Sequence, residues 1–244
     1  MTRIASHRGG TLEFGDSTHA GFTATAQMPL DEVEFDLHPT RDGAIIVHHD
    51  ATLDRTTDRT GAIAQMTLAD VQAARISYGH GTGPITLEQL CAIFQNSPVA
   101  FRCEIKPGVD ARPYPDFVPR VVAMLTAQGR LATTTFSSFL LESLDEIGAA
   151  SSQPRLWLVS TPVLEQLGLP ALLKVAKDHG LPEIGLHIDA VTADIAARTQ
   201  DAGLAIGAWA AHTPTQITKA LDLGLKVFTT DRPSLAIAIR KNRP

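Results

Sequence analysis

Cysteine is nearly absent: Cys91 and Cys103 are the only two in 244 residues. That excludes a disulfide framework. Cys91 falls in an apolar helical pattern and Cys103 in a strand-like run, so both read as small buried hydrophobes. Aromatic residues are scarce at 5%, so the expected core is aliphatic, built from Ala, Leu, Val and Ile. Charge of one sign is not in large excess. The net charge of −5 is spread along the chain without runs, which argues against a nucleic-acid partner and against an acidic or basic tail. Long uncharged apolar runs are missing, so no membrane span is expected. Met1–Gly10 has no apolar h-region, which makes the cytoplasm the expected compartment. There is also no G-x-G-x-x-G loop after the first strand. His7-Arg8-Gly9-Gly10 stands there instead, which weighs against a dinucleotide-binding sheet.

What is present is an alternation of strand-like and helix-like segments. Strands are predicted over 3–7, 33–40, 44–49, 99–106, 133–136, 155–159, 184–188, 205–211 and 226–230. Helices are predicted over 18–27, 67–74, 86–95, 116–128, 138–147, 162–179 (broken near Pro170), 193–202, 214–223 and 233–241. Thr67 with Asp70, and Thr86 with Gln89, have the spacing of capping boxes. Glycines at 129, 203 and 224 stop the helices before them. Strands alternating with helices imply a parallel sheet. About eight such units near 250 residues fit an α/β fold of the closed (β/α)8 TIM-barrel type in a single domain over 1–244. An open doubly wound sheet is the alternative.

The most informative stretch is Glu34-Phe35-Asp36-Leu37-His38. Val33, Phe35 and Leu37 alternate with Glu34, Asp36 and His38, the period of a strand. Glu34 and Asp36 therefore share a face, roughly 6–7 Å apart. Two carboxylates that close repel and raise one pKa, unless a shared divalent cation relieves the conflict. An edge strand with a solvated acidic face is the competing reading. Arg41-Asp42-Gly43 then turns the chain, and a second strand returns His48, His49 and Asp50 to the same region.

Unusual polar residues recur where strands end: His7 and Arg8, Glu104 and Lys106, His187 and Asp189, Trp209, and Asp231. Barrel enzymes collect functional groups at that end, and buried charges need partners. Alternatives stand beside each. Glu104 and Lys106 pair with each other in the simpler reading. Asp231 reads first as the N-cap of the last helix. Trp209 is either core filler or a wall for substrate. His187 is open, while His38, His48 and His212 are weaker candidates. His48 should point away from His49. His19, His80 and His179 read as surface residues.

Together these residues resemble the glycerophosphodiester phosphodiesterase family. The matching motifs are His7-Arg8-Gly9; Glu34-Phe35-Asp36-Leu37 with Thr40-Arg41-Asp42-Gly43; Val47-His48-His49-Asp50 with Leu53-Asp54-Arg55-Thr56-Thr57; Gly61 with Thr67-Leu68; Pro84-Ile85-Thr86-Leu87-Glu88; Glu104-Ile105-Lys106; Phe136-Ser137; Trp209; and Thr230-Asp231-Arg232-Pro233. They follow the family's order along nearly the whole chain. The resemblance implies a (β/α)8 barrel with a small insertion over about 50–86. It implies one divalent cation, Mg²⁺ or Ca²⁺, on Glu34, Asp36 and Glu104, and His7 and His49 as the general acid/base pair. Arg8, Lys106 and Trp209 would contact substrate. The implied reaction is hydrolysis of a small glycerophosphodiester to an alcohol and glycerol 3-phosphate, through attack by the glycerol 2-hydroxyl. Phospholipase-D-like cleavage of lysophospholipids or sphingolipids, and a non-catalytic phosphate-ester-binding module, are the alternatives. Two departures stand out: the compressed Arg75–Gly83 stretch, and Ala210-Ala211-His212 where relatives carry Thr-Val-Asn. No surface is marked for self-association, so a homo-oligomer stays open.

Overall fold

A computed structural model describes residues 1–243. The strands are β1 (Arg3–His7), β2 (Glu32–Pro39), β3 (Ile45–Val47), β4 (Ile85–Thr86), β5 (Ala100–Ile105), β6 (Thr134–Ser138), β7 (Arg155–Val159), β8 (Glu183–His187), β9 (Ala205–Trp209) and β10 (Val227–Thr230). The helices are α1 (Thr11–Phe14), α2 (His19–Thr25), α3 (Leu68–Gln72), α4 (Leu87–Ile93), α5 (Phe117–Ala127), α6 (Leu141–Ala150), α7 (Thr161–Asp178), α8 (Ala193–Asp201), α9 (Pro214–Asp222) and α10 (Pro233–Lys241). Eight strands pair in parallel around a ring, β1–β2–β5–β6–β7–β8–β9–β10, and β10 returns to β1. Closure rules out the open sheet and gives a (β/α)8 barrel. β3 and β4 are antiparallel additions beside β2.

Local sequence explains most boundaries. Thr18, Thr67, Thr86, Thr192 and Thr213 each cap a helix with a side-chain oxygen, and the boxes at Thr67/Asp70 and Thr86/Gln89 form as expected. The break in α7 lies at Gly168, whose φ of 71° is open to glycine, two residues ahead of Pro170. α1 is a single turn after the left-handed Gly10, too short to show any period in the sequence.

The core surrounds the barrel between strands and helices. It is less purely aliphatic than the composition implies. Seven of the nine phenylalanines are buried, and Phe22, Phe94, Phe101 and Phe35 meet edge to face beside β2 and β5. The segment after β3 has a small core of its own, with Leu53, Ile63, Val71 and Ala74 on Ile46. Cys91 and Cys103 are buried and free. Among the described residues no helix is long and apolar enough to cross a membrane.

Candidate active site

β2 and β5 build the centre. Their parallel register sets Asp36 beside Glu104 and Glu34 beside Arg102, and β1 sets His7 beside Glu34. Glu34, Asp36 and Glu104 are all buried and offer carboxylate oxygens within 4.8 Å of one another. The edge-strand reading of the acidic face therefore fails: this face is the barrel interior.

Two cations border the cluster. Lys106 Nζ lies 2.8 Å from Glu104 Oε1 and 3.5 Å from Asp36 Oδ1. Lys106 thus pairs with Glu104 without removing Glu104 from the cluster. Arg8 Nε lies 3.2 Å from Asp36 Oδ2, and Arg8 Nη1 donates to Asp16 at 2.9 Å. Arg8 has a left-handed backbone, φ 49°, and its amide donates back to β2 at the Glu34 carbonyl, 3.0 Å away. Burial pushes Glu34 well above the usual carboxylate range, with Asp36 and then Glu104 adding repulsion. Burial raises Glu104 as well. Asp36 goes the other way: burial opposes its ionisation, but Lys106 and Arg8 outweigh it and hold the carboxyl below its usual range. Both Asp36 oxygens lack a hydrogen-bond partner. Three hard oxygen donors, buried and short of compensating charge, fit a hard divalent cation.

Each flanking imidazole is held by a carboxylate. His7 Nδ1 lies 2.5 Å from Asp231 Oδ1. An ionised carboxylate only accepts, so His7 donates through Nδ1 and turns Nε2 toward the cluster, 3.8 Å from Glu34 Oε2. This corrects the N-cap reading of Asp231: Arg232 occupies that position, without a side-chain cap. His49 Nδ1 lies 2.5 Å from Asp50 Oδ1, and Lys106 Nζ donates to His49 Nε2 at 3.2 Å. Burial lowers the His49 pKa, and Lys106 and Arg8 add to the effect against Asp36. Arg55 clamps Asp50 at 2.6 Å and reaches Asp16 at 3.3 Å. Sequence reasoning assigned no role to Asp50, Arg55 or Asp16. The only hint was that Asp50 and Arg55 fall inside quoted motifs.

The other histidines divide as follows. His48 faces away from His49, toward Thr56. His38 is fully buried, taking a hydrogen bond from Tyr114 and donating to the His49 carbonyl at 3.1 Å. His212 accepts the Asp231 amide at 3.0 Å, and its ring centre lies 6.0 Å from that of His7. His187 packs edge-on against Trp209 at 4.6 Å. His19 and His80 are exposed, while half-buried His179 pairs with Asp145. Trp209 with Phe139 walls a cavity of about 220 Å³, which also takes in His7, Arg8, His49 and Lys106.

Residues 7–235 match the glycerophosphoryl diester phosphodiesterase family. A crystal structure from Agrobacterium tumefaciens str. C58, provisionally assigned as a glycerophosphoryl diester phosphodiesterase, is similar at 66% identity and a TM-score of 0.98, over 99% of this chain and 98% of that one. The glycerophosphodiester phosphodiesterase of Bacillus altitudinis is 26% identical over 251 residues, 99% of each chain. An Oleispira antarctica phosphodiesterase, solved with the product sn-glycerol-3-phosphate, shares the fold at a TM-score of 0.84 and 20% identity, over 99% of this chain and 98% of that one. With a match that begins at His7 and runs past Asp231, the chain belongs to the glycerophosphoryl diester phosphodiesterase family.

Proposed function

We propose that this enzyme hydrolyses glycerophosphodiesters to an alcohol and glycerol 3-phosphate, using Mg²⁺ or Ca²⁺ held by Glu34, Asp36 and Glu104. One observation carries the reading: three buried carboxylates converge between two imidazoles that are each oriented by a further carboxylate. The Oleispira enzyme's product, sn-glycerol-3-phosphate, supports the same substrate class. A cation bound there supplies Lewis-acid neutralisation of charge growing on the phosphoryl oxygens.

The chain's own residues do the rest. Arg8 and Lys106 place fixed positive charge beside an anionic diester, which otherwise repels a nucleophile. Asp231 and Asp50 fix the same tautomer in both histidines, leaving each Nε2 to exchange a proton. His49, held neutral by burial and by Lys106, suits the base. It takes the proton of the glyceryl 2-hydroxyl as that oxygen bonds to phosphorus. His7, protonated on Nε2, gives its proton to the departing alcohol oxygen as the P–O bond breaks. Water then opens the cyclic phosphate with the two roles reversed, and both histidines return to their starting states. Proton transfers of this kind contribute about 10²–10⁴-fold each.

The test is glycerol 3-phosphate release from glycerophosphocholine, glycerophosphoethanolamine and glycerophosphoglycerol, with Mg²⁺, Ca²⁺ or chelator. Release is expected with at least one cation and is lost on chelation. Glu34→Gln is expected to lower it about 10²–10³-fold and to abolish the rise in melting temperature on adding the cation. Undiminished turnover in chelator sinks the metal assignment, and no release from any of the three sinks the reaction.

A further inference from the structure

Two imidazoles meet at Asp231, and only one of them has a part in the proposed reaction. His7 Nδ1 donates to the carboxylate at Oδ1, 2.5 Å away. His212 takes the backbone instead: the Asp231 amide donates to His212 Nδ1 at 3.0 Å. A ring nitrogen that accepts an N–H carries no proton of its own, so His212 is neutral with its proton on Nε2. His212 Nδ1 also lies 3.5 Å from Asp231 Oδ2. With no proton between those two atoms, the carboxylate charge is left to His7. His212 is not among the walls of the cavity, so its route to the chemistry runs through Asp231.

The turn that carries His212 is strained and pinned. Ala210, directly after β9, is left-handed at φ 64°, a conformation that residues other than glycine rarely take. Such strain persists where the surroundings impose it, and it gathers at functional sites. Here both following residues are held. The Ala211 amide donates to the Thr229 carbonyl at 3.0 Å. The His212 amide donates to Gln216 Oε1 at 3.1 Å, and Gln216 also closes the capping box of α9 with Thr213. The Asp231 carbonyl accepts the Leu12 amide at 3.2 Å. Both main-chain groups of Asp231 are therefore gripped, one by Leu12 and the other by the His212 ring.

Resting on the function proposed above, we infer that His212 is a positioning residue: its unprotonated Nδ1 fixes the Asp231 main chain, and through it the carboxylate that orients His7. The role belongs to the acceptor atom rather than to the ring, and two substitutions separate the two. Asparagine carries Oδ1 on Cγ where histidine carries Nδ1, so it offers an acceptor at the same reach. Phenylalanine keeps the ring and its packing but leaves the Asp231 amide unpaired. A role in packing predicts that phenylalanine works and asparagine fails. A role as acceptor predicts the reverse.

The test is steady-state hydrolysis of the best of the three diesters above by the full chain. His212→Phe is expected to lower kcat about a hundredfold, the cost of a misplaced catalytic group, with KM within about twofold. His212→Ala, which also lacks an acceptor, should match it, so that a folding defect peculiar to one variant is not read as catalysis. His212→Asn is expected to stay within about threefold of wild type. Because His212 acts through Asp231, the double variant with Asp231→Asn should lose no more than Asp231→Asn alone. Proton NMR reads the clasp without substrate or turnover. The His7 Nδ1 proton, in a short charge-assisted bond, should resonate far downfield and vanish in His7→Ala. It is expected to persist in His212→Asn and to be lost or shifted upfield in His212→Phe. A phenylalanine variant as active as wild type, an asparagine variant as impaired as phenylalanine, or losses that multiply in the double variant overturn the inference. If wild type hydrolyses none of the diesters, the catalytic reading fails and the resonance judges His212 alone. Its absence from wild type, or its persistence unmoved in His212→Phe, overturns the assignment, and its loss there supports it.

Discussion

At the bottom of the barrel, Glu32 and Glu183 are flanked by Arg3, Arg102 and Lys226, and each carboxylate lies within 2.9 Å of a cation. At the top, Glu34, Asp36 and Glu104 share Arg8 and Lys106, and neither oxygen of Asp36 is hydrogen-bonded. Three cations meet two carboxylates below, and two cations meet three carboxylates above. The two ends sit only a pleat or two apart on the same strands. The difference shows that buried charge is not itself the mark of a catalytic centre. In the lower set each carboxylate has a cation of the same chain close by. The upper set is short of positive charge, the deficit that the proposed divalent cation would make good.

The contrast breaks most sharply at Asp231. Asp231→Asn puts an amide where His7 needs a pure acceptor, and the imidazole loses its fixed tautomer. Turnover is expected to fall about a thousandfold, while the melting temperature stays within a few degrees of wild type. A steady-state assay alongside a thermal melt checks both. Loss of fold with unchanged turnover per folded molecule would reverse the roles given to the two ends.

Glu183→Gln is the complementary change. It leaves Lys226 without a partner and Arg102 with Glu32 alone. Stability is expected to fall by about 3 kcal/mol, the low end for a broken buried pair, because Arg102 keeps one partner and Lys226 reaches water. Urea unfolding measures this. Turnover per folded molecule should be retained.

The smallest effect belongs to His38, one pleat beyond Asp36 on β2. Burial pushes its imidazole down to about 4, against about 6.5 in an unfolded chain. The folded form holds it neutral. The stability it contributes is therefore complete above about pH 6.5 and is lost as pH falls toward 4, by about 3 kcal/mol at most. In His38→Gln, which keeps a donor for the His49 carbonyl and an acceptor for Tyr114, the loss between pH 7 and 4.5 should shrink accordingly. Urea titrations at the two pH values decide it. An identical loss in both proteins removes His38 from the acid response.

Much of the site was legible in the sequence because strands alternate with period two. That rule puts Glu34 with Asp36 and Glu104 with Lys106 on shared faces, and it turns His48 away from His49. Strand–helix alternation likewise led to the barrel. Contacts between distant residues were not legible in the same way. Asp231 and His7 lie 224 positions apart, and the local Thr-Asp-Arg-Pro context offered a competing helix-cap reading. Arg55 and Asp16 meet only because the segment after β3 folds back over the loop before α2. Barrel register is equally silent: nothing in the sequence announces that Gly185 and Gly207 pair side by side on β8 and β9.

The clasp between His7 and Asp231 joins the first strand to the residue just after the last. During synthesis, every carboxylate of the cluster has left the ribosome once Glu104 has emerged, together with both imidazoles. The first imidazole stays unoriented until β10 docks and brings Asp231 to it. On the proposed mechanism, a nascent or prematurely terminated chain can therefore gather the acidic groups but not a working proton-transfer pair. On that mechanism, full activity waits until the first and last strands of the barrel meet.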